Sequence, residues 1–144
     1  MHHHDAHSVS VAGVIIDDHG RALLTQRRDN GHWEAPGGVL ELSEDITTGL
    51  LREVREETGL QVEPIALTGV YKNMQRGIVA LVFRCKSVGG QLTETDETRA
   101  FRWVNADEVR ALASEAFAVR VLDAMDPNHP PAVRQHDGER LLSV

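Results

Sequence analysis

Acidic side chains at fixed spacing dominate the segment 38–60, whose sequence is GVLELSEDITTGLLREVREETGL. On a helix, successive residues turn by about 100°, so Glu53, Glu56 and Glu57 fall within one arc of about 100°. Three neighbouring carboxylates raise one another's pKa unless a cation lies against them. Hard divalent ions prefer oxygen ligands of this kind. An isolated E-x-x-E-E motif is more often a solvated acidic face, so the choice depends on the wider segment.

The wider segment fits the pattern G-x5-E-x7-R-E-U-x-E-E-x-G-U, in which U is a bulky aliphatic residue. The matching residues are Gly38, Glu44, Arg52, Glu53, Val54, Glu56, Glu57, Gly59 and Leu60. This pattern is the Nudix box, and the chain resembles small MutT-like Nudix hydrolases, which split nucleoside diphosphates linked to another group. The match has no gap and no missing carboxylate, and it therefore favours a metal site over a solvated face.

The resemblance implies roles for the matching residues. The implied ligands of Mg²⁺, or of Mn²⁺ in its place, are the backbone carbonyl of Gly38 and the carboxylates of Glu53, Glu56, Glu57 and Glu97. Glu44 and Arg52 are implied to form a structural salt bridge that fixes the loop against the helix. The residues assigned to catalysis are Glu53, Glu97 and Arg52, of which Arg52 acts more by bracing the loop than by chemistry.

Glu97 lies outside the box, in an acidic stretch that precedes the sequence Phe101-Arg102-Trp103-Val104. Similar family members carry a functional Glu about six residues before a Trp-Val pair, and Glu97 occupies that place. It is predicted to bind a metal ion or to take the proton from the attacking water. Glu94 is the competing choice, and an ordinary acidic turn is the alternative for both.

Three residues are predicted to bind the substrate. Trp33 and Tyr71 have planar rings on which a nucleobase can stack. Trp33 belongs to the W-x-x-P-G-G sequence typical of small MutT-like members, where it alternatively packs as a structural aromatic. Arg27 is suited to bidentate contact with a phosphate. Arg28, Lys72 and Arg76 are weaker choices for the same task, and each alternatively is a plain surface charge.

The order of patterns predicts an α+β fold. Expected strands are 8–16, 21–27, 61–71, 77–88 and 98–104, with the first two paired as a hairpin and a short strand at 141–144. Helices are expected at 45–58, with Ser43 as N-cap and Gly59 as a left-handed C-cap, at 106–112 after Asn105, and at 115–125. The resemblance implies the Nudix fold, an α/β/α sandwich around a mixed sheet with the box as loop-helix-loop.

Composition restricts the classes of function. The net charge of −7 argues against nucleic-acid binding, which normally requires a basic surface. No apolar run is long enough to span a membrane. The single cysteine, Cys85, excludes an intramolecular disulfide and is expected of a protein from the reducing cytoplasm. The cluster of His2, His3, His4 and His7 is interpreted as a tag remnant or disordered lead in preference to a native metal site.

The length of 144 residues indicates a single domain over 1–144, with about 1–7 and 127–144 flexible or peripheral. A monomer or homodimer is expected, with a small-molecule nucleotide as substrate and neither nucleic acid nor membrane as partner. The expected substrate is a nucleoside triphosphate, including oxidised forms, and ADP-ribose or another nucleoside diphosphate sugar is the alternative. A rival outside enzymology is a nucleotide-binding regulatory module of Nudix fold, but such a module would be expected to lose box carboxylates.

Overall fold

The structure, a computed structural model, describes residues 6–143, so the interpretation of His2, His3 and His4 lies outside the described residues. The described strands are β1 (Ser8–Ile15), β2 (Ala22–Arg27), β3 (Trp33–Glu34), β4 (Gly37–Val39), β5 (Leu60–Asn73), β6 (Ile78–Gly90), β7 (Thr98–Val104), β8 (Ala132–His136) and β9 (Leu141–Leu142). The described helices are α1 (Ile46–Thr58), α2 (Ala106–Leu112) and α3 (Glu115–Met125). None of these helices combines the length and apolar character needed to cross a bilayer.

The strands form two sheets. The larger sheet has the order β4-β1-β6-β5-β8-β9, and the smaller has the order β3-β2-β7. The larger sheet is mixed, because β1 is parallel to β6 and β5 is parallel to β8 while the other pairs are antiparallel. The smaller sheet is antiparallel.

Two apolar clusters lie on opposite faces of the sheets. Alternation along β1 sends Val11 and Ile15 to the cluster that contains Leu50 and Val54 of α1. The intervening Val14 faces the other cluster, to which α2 and α3 contribute. The sheets therefore lie between α1 on one side and α2 and α3 on the other, and the predicted α+β class with helices on both faces is confirmed.

Helix α1 begins at Ile46, one residue after the predicted start, and its N-cap lies two residues after the predicted one. The Asp45 side chain, and not that of Ser43, caps it by accepting a hydrogen bond from the Thr48 amide at 2.8 Å. Asp is as good an N-cap as Ser, so composition alone did not separate the two. Gly59 ends the helix with φ of 81° and donates its amide hydrogen to the Arg55 carbonyl. The predicted left-handed C-cap is therefore confirmed.

The predicted hairpin between the first two strands is wrong. Within residues 6–143, the two strands are joined only by the isolated bridge of Ile16, just after β1, to Ala22, and β2 instead pairs with β3 and β7. Strand β1 finds its neighbours in β4 and in the distant β6. Alternating apolar residues mark a strand but do not specify its partner, because pairing depends on contacts far apart in sequence.

The C-terminal segment contains a strand that was not predicted. After Pro130 and Pro131, strand β8 pairs in parallel with β5 and in turn carries the short β9. The expected strand at 141–144 is observed as Leu141–Leu142. Strand β6 continues to Gly90, where it pairs with Leu60, and so extends two residues beyond the predicted end at residue 88.

Candidate active site

Helix α1 divides its side chains between the core and the site. Leu50 and Val54 are fully buried against the sheet, whereas Glu53 and Glu57 are half-buried and Glu56 is exposed. The helical period produces this division, because apolar residues four positions apart share one face. The core contact thereby fixes the direction in which the carboxylates point.

Arg52 braces the loop that precedes the helix. Its Nε donates to Glu44 Oε2 at 2.9 Å and its Nη2 donates to Glu44 Oε1 at 2.5 Å. Nη2 also donates to the Val39 carbonyl at 3.2 Å, and the Glu41 amide donates to Glu44 at 2.9 Å. The Arg52 guanidinium lowers the pKa of Glu44 to about 2, with help from the Glu41 amide. Glu44 is therefore ionised at neutral pH and holds the loop to the helix.

The same guanidinium reaches the carboxylates of the predicted metal face. Arg52 Nη1 donates to Glu53 Oε1 at 2.9 Å and to Glu56 Oε2 at 3.2 Å. On the other side of Glu53, a Cβ added to Gly38 would overlap the carboxylate oxygens. The absence of a side chain at Gly38 is therefore what allows Glu53 to lie against the backbone of β4.

Burial and crowding make the carboxyl groups of Glu53 and Glu57 reluctant to ionise. Burial raises the pKa of Glu57 to about 8, and the charges of Glu53, Glu34 and Glu97 add to the rise, although the Gly37 amide donates to Glu57 Oε1 at 3.3 Å. Burial also raises the pKa of Glu53, and Arg52 opposes that rise. Clustered carboxylates of this kind become favourable as anions when a cation neutralises them.

This donor set suits a hard divalent cation in chemistry, because it consists of carboxylate oxygens beside a backbone carbonyl. Within residues 6–143, however, no three acidic, His or Cys side chains lie together as a formed metal cluster. The assignment of Gly38, Glu53, Glu56, Glu57 and Glu97 as ligands therefore stays a prediction.

A cavity of about 400 Å³ lies beside the helix. Its lining consists of Thr25, Arg27, Arg28, Asp29, Glu34, Glu57, Asp96, Glu97 and Thr98. The lining brings Glu97 of the loop before β7 to the same space as Glu57 of α1. Glu94 is absent from the lining and approaches Arg28 Nη2 at 4.0 Å. The geometry therefore favours Glu97 over Glu94 as the partner of the box.

The predicted substrate residues have different environments. Arg27 lines the cavity and pairs with Asp29 at 2.7 Å and with Glu34 at 3.3 Å. Trp33 is half-buried and packs against the cluster on the side of α2 and α3, which agrees with the structural alternative but leaves part of the ring accessible.

Tyr71 cannot stack on a nucleobase, and this prediction is corrected. Its side chain is 0% exposed in the core, and its hydroxyl donates to Asp123 Oδ2 at 2.6 Å. Arg120 lies over one face of the ring, with 5.2 Å between Cζ and the ring centroid. The ring is therefore a core element that joins β5 to α3.

Glu34 is a site residue that the sequence analysis missed. Its carboxylate lines the cavity, accepts a hydrogen bond from Arg27 Nη1 at 3.3 Å and raises the pKa of Glu57. The available signal was alternation in β3, which sends Glu34 to the face opposite Trp33. That signal is weak in a strand of two residues.

Comparison with known proteins agrees with this geometry. The NUDIX domain family matches residues 6–125. The chain is 56% identical to a "MutT-like protein" of Streptomyces ambofaciens, over 94% of this chain and 88% of that one. It is 31% identical to an "ADP-ribose pyrophosphatase" of Methanocaldococcus jannaschii, over 74% of this chain and 66% of the relative. The crystal structure of a NUDIX hydrolase from Nitrosomonas europaea superposes with a TM-score of 0.80 at 22% identity, covering 93% of this chain and 82% of that one, and it supports the fold.

Proposed function

The chain belongs to the NUDIX domain family and is a hydrolase of phosphoric anhydride bonds, and we propose that its substrates are nucleoside triphosphates, including oxidised ones. The single observation that carries this proposal is the cavity in which Glu57 and Glu97 share the lining with Arg27. Carboxylates suit a divalent cation and guanidinium groups suit phosphates, so the space has groups for both parts of a metal–polyphosphate substrate.

The metal would be Mg²⁺, or Mn²⁺ in its place, held by Glu53, Glu56, Glu57, Glu97 and the Gly38 carbonyl. When bound, the cation supplies Lewis-acid polarisation of the phosphate oxygens and neutralises their charge. Because carboxylate anions repel phosphate anions, the carboxylates of the cavity should weaken phosphate binding until a cation compensates their charge.

The chain's own groups then position and deprotonate the attacking water. The oxygen of that water forms a bond to phosphorus, and the anhydride P–O bond breaks, so the bridging oxygen leaves with the departing group. Glu53 or Glu97 accepts the proton from the water, as a general base within hydrogen-bond reach can. Arg52 orients the Glu53 carboxylate by donating a hydrogen bond to it at 2.9 Å. Arg27 leaves its ion pair with Asp29 and binds a substrate phosphate instead.

ADP-ribose hydrolysis is the second candidate, supported by the relative that is 31% identical and carries the name of that activity. Both reactions break an anhydride bond and use the same box, which does not encode the leaving group. The two candidate substrates differ in whether the cavity must bind a third phosphate, as in a nucleoside triphosphate, or a second ribose, as in ADP-ribose. A regulatory module without activity is disfavoured because every box carboxylate is present.

A panel of nucleotides, oxidised nucleotides and ADP-ribose, incubated with Mg²⁺ and separately with excess chelator, tests the proposal. Comparison of kcat/KM across the panel, with identification of pyrophosphate or phosphate products, should rank a nucleoside triphosphate first and give no turnover in chelator. A higher kcat/KM for ADP-ribose would select the second candidate. Robust turnover in chelator would overturn the metal-dependent mechanism.

A further inference from the structure

The loop that carries Glu97 has little regular structure to hold it. Residues 91–97 belong to no helix or strand, and β7 begins at Thr98. Glu97 itself is exposed, so packing does not fix its position. The few hydrogen bonds around this loop must therefore set where the carboxylate lies relative to the helix.

The loop closes on itself through Thr95. Thr95 Oγ1 accepts hydrogen bonds from the Glu97 amide at 3.2 Å and from the Thr98 amide at 3.0 Å, and the Thr95 amide donates to the Thr98 carbonyl at 3.1 Å. These contacts shape a tight turn, but they are all internal to it. They do not attach the turn to the rest of the protein.

The pairing of Arg27 with Thr98 attaches one end of the turn to β2, and Arg28, the residue after β2, makes the other contacts. Its backbone amide donates to the Glu97 carbonyl at 2.9 Å, and its side-chain Nε donates to the Thr95 carbonyl at 2.7 Å. Its Nη2 lies 4.0 Å from a carboxylate oxygen of Glu94. One residue therefore holds both ends of the 95–97 turn, and the short contact to Thr95 is charge-assisted.

We infer that Arg28 is a positioning residue for Glu97, and that its guanidinium serves the turn and not a substrate phosphate. This inference rests on the proposed function, in which Glu97 acts in hydrolysis. A general base must lie within hydrogen-bond reach of the water, so a mobile turn would slow the reaction without weakening substrate binding. Arg27 and Arg28 are adjacent, but on this reading only Arg27 is available to the phosphates.

The test compares Arg28→Ala with Arg102→Ala. The two side chains are almost equally exposed, at 45% and 46%, and each lies near a glutamate. Arg102, however, pairs with Glu108 and not with the turn. Arg28→Ala should lower kcat by roughly 10- to 100-fold with KM unchanged, because misplacement by about 1 Å can cost about 10²-fold. Arg28→Lys should restore part of kcat, and Arg102→Ala should match the wild type.

A second measurement separates positioning from direct participation. Glu97→Gln should lower kcat by about 10²–10⁴-fold, and adding Arg28→Ala to it should cost little more, because the two residues act as one unit. Amide hydrogen exchange at residues 95–98 should accelerate in Arg28→Ala and stay unchanged in Arg102→Ala, without reference to activity.

Three outcomes overturn the inference. They are unchanged exchange in Arg28→Ala, an effect on KM alone, or an equal further loss of kcat in the Glu97→Gln background. A slow Glu97→Gln protein with a full-rate Arg28→Ala protein would reject the positioning role while the proposed function stands. A Glu97→Gln protein with the wild-type rate would contradict both the role of Glu97 in hydrolysis and the positioning role of Arg28.

Discussion

At the scale of the residue, the site is a balance between one guanidinium and several carboxylates. Arg52 touches Glu44, Glu53 and Glu56, whereas the more buried Glu57 has no cationic partner among the described contacts and accepts only the Gly37 amide. Glu57 is therefore the carboxyl group of this helix that a bound cation would stabilise most as an anion. This asymmetry makes Glu57 the most informative position for substitution.

Glu57→Gln should change how the metal-free protein responds to pH. Its carboxyl has an ordinary pKa of 4.5 when unfolded and about 8 when folded. Below the first value both states are protonated, and above it the unfolded chain releases a proton that the folded chain keeps. Folding is therefore favoured most at low pH, and stability falls as pH rises through this window. Melting in chelator from pH 4 to 9 should show this loss, and Glu57→Gln should reduce it.

Glu56→Gln is the matched control, because it removes one charge from an exposed position of the same helix. It should leave the pH-dependent loss in place. With Mg²⁺ present, both variants should lose hydrolysis while remaining folded, since each removes a proposed metal ligand. An unchanged pH dependence in Glu57→Gln would contradict the burial of that carboxylate.

Arg52→Ala should lower the melting temperature and the rate together. The substitution leaves Glu44 without its cationic partner, which weakens the attachment of the loop to the helix. It also removes the hydrogen bond that holds the Glu53 carboxylate. Arg55→Ala serves as the control, because Arg55 is exposed on the same helix. Glu44→Gln should give a milder form of the same change, since an amide still accepts from the guanidinium.

Differential scanning calorimetry gives the melting temperatures, and turnover is measured well below both midpoints. Melting and turnover that both match the wild type in Arg52→Ala would show that Arg52 is an ordinary surface residue.

At the scale of the element, α1 presents its carboxylates because its two ends are fixed. Asp45 satisfies the first turn and Gly59 closes the last one with φ of 81°. A Cβ at Gly59 would overlap the Gln91 carbonyl, so the cap also requires glycine for space. Both ends could be located in the sequence to within two residues, because capping uses few residue types.

Asp45→Ala should destabilise the protein, and Ser43→Ala should not. Asp45 accepts the Thr48 amide at 2.8 Å, and this hydrogen bond lowers the pKa of its carboxyl. The stability that Asp45 contributes is present above its ordinary pKa of 3.8 and is lost as pH falls through the lower folded value. Thermal melting at pH 7 should therefore be lower for Asp45→Ala alone. An equal loss in Ser43→Ala would return the cap to Ser43.

At the scale of the whole molecule, the C-terminal strands complete the larger sheet. Arg134 of β8 donates to both oxygens of Asp123 at 2.8 Å, and the Tyr71 hydroxyl donates to the same carboxylate. Asp123 belongs to α3 and is only 8% exposed. One ionic network therefore joins β5, α3 and β8, and it explains why Tyr71 belongs to the core.

Arg134→Ala should destabilise the protein by more than an exposed pair is worth. Removal of the Arg134 guanidinium leaves the Tyr71 hydroxyl as the remaining side-chain donor described for the buried Asp123 carboxylate. Loss of one partner from a fully buried pair costs about 3–5 kcal/mol, and partial exposure of Arg134 should reduce that figure. Arg110→Ala breaks the exposed pair with Asp107 and should cost about 0–1 kcal/mol. Urea denaturation of the two variants makes the comparison, and equal losses would show that the network adds no stability.

The box and the helix that bears it could be located from the sequence alone. These features depend on covalent spacing and helical period, which act between residues close in the chain. Strands β5, β6 and β7 and helices α2 and α3 were likewise predictable within a few residues, because their apolar periods and caps are local.

The pairing of the strands depends on tertiary packing, and this packing determines the surroundings of the site. The segment that forms β8 follows two prolines and has no clear strand pattern in its sequence, yet it pairs with β5. Tyr71 has an ordinary strand sequence around it, and its burial depends on α3 and β8. Glu34 influences the pKa of Glu57, and Arg28 contacts Thr95 and Glu97, although each of these partners lies far away in the chain. Such contacts depend on the packing of distant elements, and local pattern carries no information about them.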